Sequence, residues 1–463
     1  MIAGPLFLIL LPLILALLVF VLRRWTLPAA FLASATALVM ASLCLGLPLD
    51  RPVSVLGWQV ALGEPMRVLG REFALGLAGR LALGFIWLIA ALAFLFAWRL
   101  TQGDLFLPLG LVVLSLLGAA VMIRHFLFAV LFLWIASIIV VFIIQGEQQG
   151  LRRGALQYLV MVSLAIPPLL ITPWLIELHA VNPDNLAFLR YAAVLLAIGF
   201  AILLAVAPFH GWVSAVATDA PPVVAAFVLT TTNAVVLLLM LDLLQSYPWL
   251  PEDPQVFRLL RLGGLLMAVV GGLLAFAQRD FGRLLGYAVL SDMGCTLVAL
   301  GVASPAGLTA ALLQVAHRSV GLMLAAMGLA VVRHHAGSDT FDSLHGVARR
   351  LPLSTAGLAL GGLSLAGMPL TAGFPVRWAI YRLSSAPGLG LALLLSGAGV
   401  ALGYLRGLSA ILDPSTEPQV KQEPLIASLI ILGMIALCLG LGILPPSLLP
   451  SVQRVVESFS FLK

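Results

Sequence analysis

The sequence predicts an all-α fold: a polytopic membrane protein of about fourteen transmembrane helices, with inverted five-helix repeats and two broken helices. Three observations predict it. The 463 residues are 62% hydrophobic and only 10% charged, with a mean hydropathy of +1.13, a balance foreign to soluble domains. Fourteen apolar runs follow one another with short polar joints. Two of those runs are long and interrupted by proline, at Pro208 and Pro369.

The runs fall at 3–22, 28–48, 78–98, 105–122, 125–145, 155–176, 188–209, 222–246, 260–277, 283–303, 307–332, 353–381, 386–411 and 425–447. At about 20 residues per crossing they leave no room for a sizeable soluble domain. The first, Pro5 to Val21, lacks a basic start and is closed by Arg23-Arg24, so it reads as a retained span rather than a leader. The run 353–381 is too long for one straight crossing, and Gly367-Met368-Pro369 and Gly373-Phe374-Pro375 interrupt it. Runs four to eight and nine to thirteen each hold one interrupted member, the pattern of an inverted repeat. The expected division is 1–104 for the first three helices, 105–246 and 260–411 for the two five-helix units, and 412–463 for the last helix and tail.

The net charge of +6 is scattered through loops, which suits topology signals and lipid headgroups and excludes a nucleic-acid surface. Loops after odd-numbered runs carry twelve basic residues and those after even-numbered runs eight, which places both termini on the outer side of the membrane. Cys44, Cys295 and Cys438 are far apart in apolar runs, so neither a disulfide framework nor a metal motif is implied. No nucleotide, flavin or iron–sulfur motif is present, so no catalytic site, cofactor or metal is expected on this chain.

The polar residues in the apolar runs are the candidates for function, because polar groups at depth are costly and normally face other helices or a wet cavity. They are Arg80, Asn233, Asp242, Asp292, His317, Arg318 and Arg377, with His210 beside the break at Pro208. Each has a plainer reading. His210 either relays protons or bonds backbone freed by the proline. His317 and Arg318 are a functional pair or glue between helices. Asp242, near its helix end, reaches headgroups. Asp292 needs a cation, Arg318 or Arg377. Thr230, Thr231, Thr232 and Asn233 suit helix packing better than a water wire.

Four ordered stretches carry a resemblance. Pro208-Phe209-His210-x-Trp212 with Ala220-Pro221 resembles PFHxWLPxAHxxAP; Arg283 to Ala288 resembles RLLAYSS; His317 with Gly328 resembles the ends of HAxxKxxLFxxxG; and Leu363 to Trp378 resembles SLAGxPxTAGFxGKW. These elements are similar to those of the antiporter-like membrane subunits shared by complex I, membrane-bound hydrogenases and Mrp-type cation/proton antiporters, over about residues 75–410. Ala220 to Asn233 reads most like the subunit N (chain 2) type. The resemblance implies a membrane subunit of a complex I-like, NADH:quinone oxidoreductase-type proton-translocating complex in a bacterial-type inner membrane. Its partners would be other membrane subunits, the bilayer, and protons or cations, with electrons handled elsewhere.

The resemblance also implies charged residues that are missing here. The family's glutamate falls on Ile135, and its lysines on Leu203, Asn233 and Gly321; only Arg377 keeps a charge, and arginine stays protonated. The whole chain has two lysines, Lys421 and Lys463, both outside the apolar runs, and no glutamate central to any run. A buried Lys–Glu relay is therefore not expected. Any conduction would use His210, His317, Asp242 or Asp292, and the alternative is a degenerate, non-conducting scaffold in such a complex, in an Mrp-type antiporter or in a membrane-bound hydrogenase.

Overall fold

A computed structural model describes residues 2–48, 53–55, 58–100, 102–146, 152–384, 386–413, 423–444 and 447–461. Lys421, Lys463, Glu147 and Glu417 lie outside the described residues. The chain opens with α1 (Gly4–Leu22), α2 (Thr26–Gly46), α3 (Leu77–Arg99), α4 (Phe106–Met122), α5 (Phe126–Gln145) and α6 (Arg153–Val181). The first broken helix is α7 (Ala187–Leu203) and α8 (Gly211–Asp219). It is followed by α9 (Pro222–Ser246), the short α10 (Trp249–Glu252), α11 (Pro254–Ala277), α12 (Phe281–Leu300) and α13 (Pro305–Ala336). The second broken helix is α14 (Pro352–Ala366) and α15 (Gly373–Leu383), then α16 (Pro387–Leu412), α17 (Leu425–Ile443) and α18 (Leu449–Ser458). Among the described residues eleven helices are long and apolar enough to cross a membrane, and three more apolar helices are shorter. This is an integral membrane protein.

The expectation of helices alone needs one correction. Between α2 and α3, where the chain leaves the bundle, short strands form: Val53–Val55 pairs antiparallel with Trp58–Ala61, which also pairs with Ile2–Ala3, and Met66–Val68 pairs with Arg71–Phe73. The last hairpin turns through Leu69 and Gly70, both at positive φ (50° and 75°), which matches the twist of its strands. Outside hydrocarbon a strand's free edges can meet water, so the helix-only rule no longer applies.

Helix starts follow local chemistry. Proline occupies the first turn of α9, α11, α13, α14 and α16, where its missing N–H costs nothing. Asp253, Asp280 and Ser304 cap α11, α12 and α13 by accepting from Gln255 N (2.9 Å), Arg283 N (2.8 Å) and Gly307 N (3.1 Å). Both expected breaks are present. At the second, Gly367 takes φ +77° and its N–H donates to the Ser364 carbonyl while Met368 N donates to that of Leu363, each at 3.0 Å. Those paired bonds form a Schellman end, which only a glycine at this position adopts without strain.

Neighbour relations show the repeat that the residues hide. In the first unit α4 packs on α5, α5 on α6, α6 on α7 and α8, and α9 on α4, α5, α7 and α8. In the second, α11 packs on α12, α12 on α13, α13 on α14 and α15, and α16 on α11, α12, α14 and α15. The pairings map one to one. The units start five crossings apart, an odd number, so they begin from opposite faces and are inverted. They join where α8 packs on α12 and α9 on α13. At one end of the bundle Arg333 of α13 donates to the Ala220 carbonyl beyond α8 (3.3 Å) and pairs with Asp339.

The core is the column α9, α12 and α13, apolar nearly all round and buried along its length. Glycine sets the spacing there. A Cβ on Gly271 of α11 would lie 2.5 Å from Ser291 N, and one on Gly264 2.6 Å from the Gly294 carbonyl oxygen. We expect Gly271→Leu to destabilise the protein by about 1–3 kcal/mol, read as a lower thermal midpoint in detergent. Gly433→Leu, with nothing among the described residues within 4 Å of the added Cβ, should leave the midpoint unchanged.

Candidate charge cluster at the second broken helix

Helix α12 presents Asp292 at mid-length, α13 presents Gln314 and Arg318 one turn apart, and α15 presents Arg377 one turn after the break. All four side chains are buried, Arg377 at 0% exposure and Asp292 at 1%. Arg377 Nη2 donates to Asp292 Oδ1 at 3.4 Å, Gln314 Nε2 donates to the same oxygen, and Arg318 Nη1 lies 3.7 Å from Oδ2. Arg318 Nη1 also donates to Thr296 Oγ1 at 3.3 Å. Sequence reasoning offered Asp292 either arginine; the structure uses both.

Arg377 has a second task. Its Nη1 donates at 2.9 Å to the carbonyl of Ala366, the last residue of α14. A helix end leaves carbonyls without intrahelical partners, and in a membrane interior that is expensive. One guanidinium therefore satisfies the break and the carboxylate together. Two cations against one carboxylate leave one positive charge in excess. Asp292 Oδ2, Gln314 Oε1, Arg377 Nε and His317 Nε2 are buried without a hydrogen-bond partner among the described residues.

The other candidates fall at different places. His317 is buried beside the cluster on α13, with Nδ1 2.7 Å from the Leu313 carbonyl oxygen, so that nitrogen is the donor in the neutral ring. Asn233 donates to Leu229 O at 2.6 Å and to Met293 Sδ at 3.4 Å, which puts it on the seam between units, next to Asp292. His210 is half-buried just ahead of α8, outside the contacts of the Asp292 cluster, and its Nδ1 has no partner among the described residues. Asp242 is exposed one turn from the end of α9 and takes no part in the cluster. Arg80, read from sequence as a group at depth, donates to the Cys44 and Leu45 carbonyls (2.5 and 2.8 Å) and closes the end of α2. Thr231 and Thr232 bond carbonyls one turn back, as packing residues do.

The positions that the resemblance assigns to missing charges lie in different surroundings. Ile135 is 45% exposed on the outer surface, so the inward neighbours on α5 are Ala136 and Ser137. Leu203 is buried at the end of α7. Gly321 is closed by packing: a Cβ there would stand 3.0 Å from Ser364 Oγ and 3.3 Å from the Gly361 carbonyl oxygen.

Sequence reasoning missed a matching cluster in the first unit. Tyr158 of α6 donates to Ser137 Oγ of α5 at 3.2 Å and has Thr232 of α9 as its other side-chain partner. Trp212 of α8 meets the Tyr158 ring edge-on at 5.5 Å and donates to the Ile202 carbonyl. Under the repeat, α5, α6 and α8 correspond to α12, α13 and α15. The same three-helix junction is thus ionic in one unit and neutral in the other. A tyrosine and a serine inside apolar runs were the available signal.

Comparisons with known proteins agree with this architecture. Residues 119–403 match the family model described as NADH:quinone oxidoreductase/Mrp antiporter, TM. The NADH-quinone oxidoreductase subunit N of Chromohalobacter salexigens is 33% identical over 276 residues, 56% of this chain and 56% of that protein. The aligned stretch therefore spans little more than half of that relative. A chain of the archaeal membrane-bound sulfane sulfur reductase is 18% identical and superposes with a TM-score of 0.84, covering 99% of this chain and 98% of its own. A chain of respiratory complex I from Thermus thermophilus is 22% identical with a TM-score of 0.73, covering 95% of this chain and 99% of its own. The two structural likenesses speak for the fold.

We expect Arg377→Leu to cost about 3–5 kcal/mol, since it strips a partner from a buried carboxylate and from the Ala366 carbonyl. Gly321→Lys should also destabilise rather than restore a relay, because α14 occupies the space the side chain needs. Thermal unfolding of both variants checks this; a stable Gly321→Lys protein would contradict the packing argument.

Proposed function

The chain belongs to the NADH:quinone oxidoreductase/Mrp antiporter transmembrane family, and from that premise we propose that it is a membrane subunit of a complex I-type proton-translocating complex. Its part is proton conduction or coupling, and electrons pass on other chains. The observation that carries this reading is the buried Asp292 held between Arg318 and Arg377 where α12, α13 and α15 meet. Charge at such depth costs several kcal/mol and is kept where it serves an ion path or a switch. Neither guanidinium hands on a proton. The movable proton in this unit belongs to Asp292 or His317, with the arginines setting the field around them.

The partners in this reading are the other membrane subunits of the complex, the lipid bilayer, and protons or cations. The site of action is a bacterial-type inner membrane with both termini on the outer side. The subunit N relative supports the quinone oxidoreductase type over the Mrp and hydrogenase types. A second reading, a non-conducting scaffold, draws on the closed position at Gly321 and the neutral Ser137–Tyr158–Trp212 junction.

Redox-driven proton uptake by the intact complex in liposomes separates the two. We expect Asp292→Asn, and separately His317→Ala, to depress uptake per assembled complex at least about tenfold, the scale of a lost proton-transfer group. Unchanged uptake in both would establish the scaffold reading.

A further inference from the structure

Arg377 blocks the direct outward route from Asp292 along α15, because it holds its protons permanently. The structure nevertheless continues a polar line past it. One turn further on the same helix, Tyr381 is half-buried and lies alongside the guanidinium. Opposite both stands Gly397 of α16. A Cβ on Gly397 would sit 2.8 Å from the Ala366 carbonyl oxygen, 2.9 Å from Arg377 Nη1 and 3.4 Å from Tyr381 Oη. Three polar groups from α14 and α15 therefore converge on one point that only the absence of a side chain leaves open. The Tyr381 hydroxyl also lies 3.5 Å from the Leu393 carbonyl oxygen on α16, at the limit of hydrogen-bond reach, and has the Arg377 guanidinium as its side-chain partner. Arg382, the next residue, is exposed, and α15 ends at Leu383.

We propose that Tyr381 is the outlet residue of the second unit: its hydroxyl passes protons between the buried Asp292 cluster and the end of α15, through the opening at Gly397. The hydroxyl releases one proton outward and accepts one from the inner side, so its own protonation is restored in each cycle. Arg377 orients the group without exchanging with it. The charged and titratable groups that face Tyr381 are Arg377 on its own helix and Asp292 and Cys295 on α12; α16 offers the Leu393 carbonyl and the backbone of Gly397. The proposal rests on the conducting reading given above. A tyrosine near a helix end also serves as an interfacial anchor, and an anchor role is kept by phenylalanine or tryptophan.

The test uses the intact complex in liposomes, with redox-driven proton uptake as the readout. Tyr381→Phe is expected to lower uptake at least about tenfold, with assembly and thermal midpoint unchanged. Gly397→Ala, which places a methyl group among the three polar atoms, is expected to lower it as well. Difluorotyrosine at position 381 carries a more acidic phenol, so the limb of the uptake–pH profile set by this group should move to lower pH; an anchor leaves the profile in place. Full uptake in Tyr381→Phe or Tyr381→Trp while Asp292→Asn abolishes it overturns the outlet and leaves the conducting reading standing. Full uptake in Asp292→Asn and in His317→Ala as well removes both. An unmoved profile with difluorotyrosine overturns the outlet on its own.

Discussion

The carboxylate of Asp292 and the guanidinium of Arg377 can occupy the interior of this bundle only together. Without Asp292 both Arg377 and Arg318 would be unpaired ions in a low-dielectric core, and without Arg377 the carboxylate would keep only Gln314 and the more distant Arg318; breaking such a buried pair costs several kcal/mol. Their pairing fixes more than charge. Because Arg377 also serves the Ala366 carbonyl, the position of α15 against α14 depends on it, and so does the Schellman turn at Gly367 that lets the chain break there. A Cβ on Gly367 would stand 3.2 Å from Arg377 Cγ, so the residue that makes the turn also makes room for the side chain that stabilises it.

The two inverted units answer one architectural problem with different chemistry. Where two helices meet a broken third, the break frees backbone groups that something must satisfy. The second unit uses ions, Asp292 with Arg318 and Arg377. The first uses an indole, with Trp212 Nε1 donating to the Ile202 carbonyl at 3.3 Å and Tyr158 and Ser137 filling the junction. Neutral groups avoid the desolvation cost of charge, and they provide no group with a movable charge at that place. The buried formal charges at these two junctions therefore lie in one half of the chain.

The fourteen apolar segments and both helix breaks were legible, because hydrophobic length and proline punctuation are local signals. The inverted repeat was legible only as spacing, since its evidence lies in which helices touch. Asp292 could be assigned an arginine from charge alone, but not two, and Gln314 was invisible because an amide in a helix has many ordinary uses. Ile135 faces outward, and no local pattern shows that, because a shift of one residue turns a side chain by about 100° around a helix, from interior to lipid. Asp242 is exposed near its helix end, where the plainer sequence reading put it. The resemblance put a lost lysine at Gly321. That the space itself had closed follows from α14, which no local pattern around residue 321 records.

Helix α8 packs closely on α12, with the would-be Cβ of Gly286 2.6 Å from Ser214 Cα. Those partners are far apart in synthesis. A ribosome reaches Asp219 some seconds before Phe281, at roughly 5–20 residues per second. Through that interval the first unit stands in the membrane with its half-helix uncovered. The last element of its fold comes from the second unit, so insertion of this protein is finished late and as a whole, and a chain truncated before α12 leaves α8 without its seat.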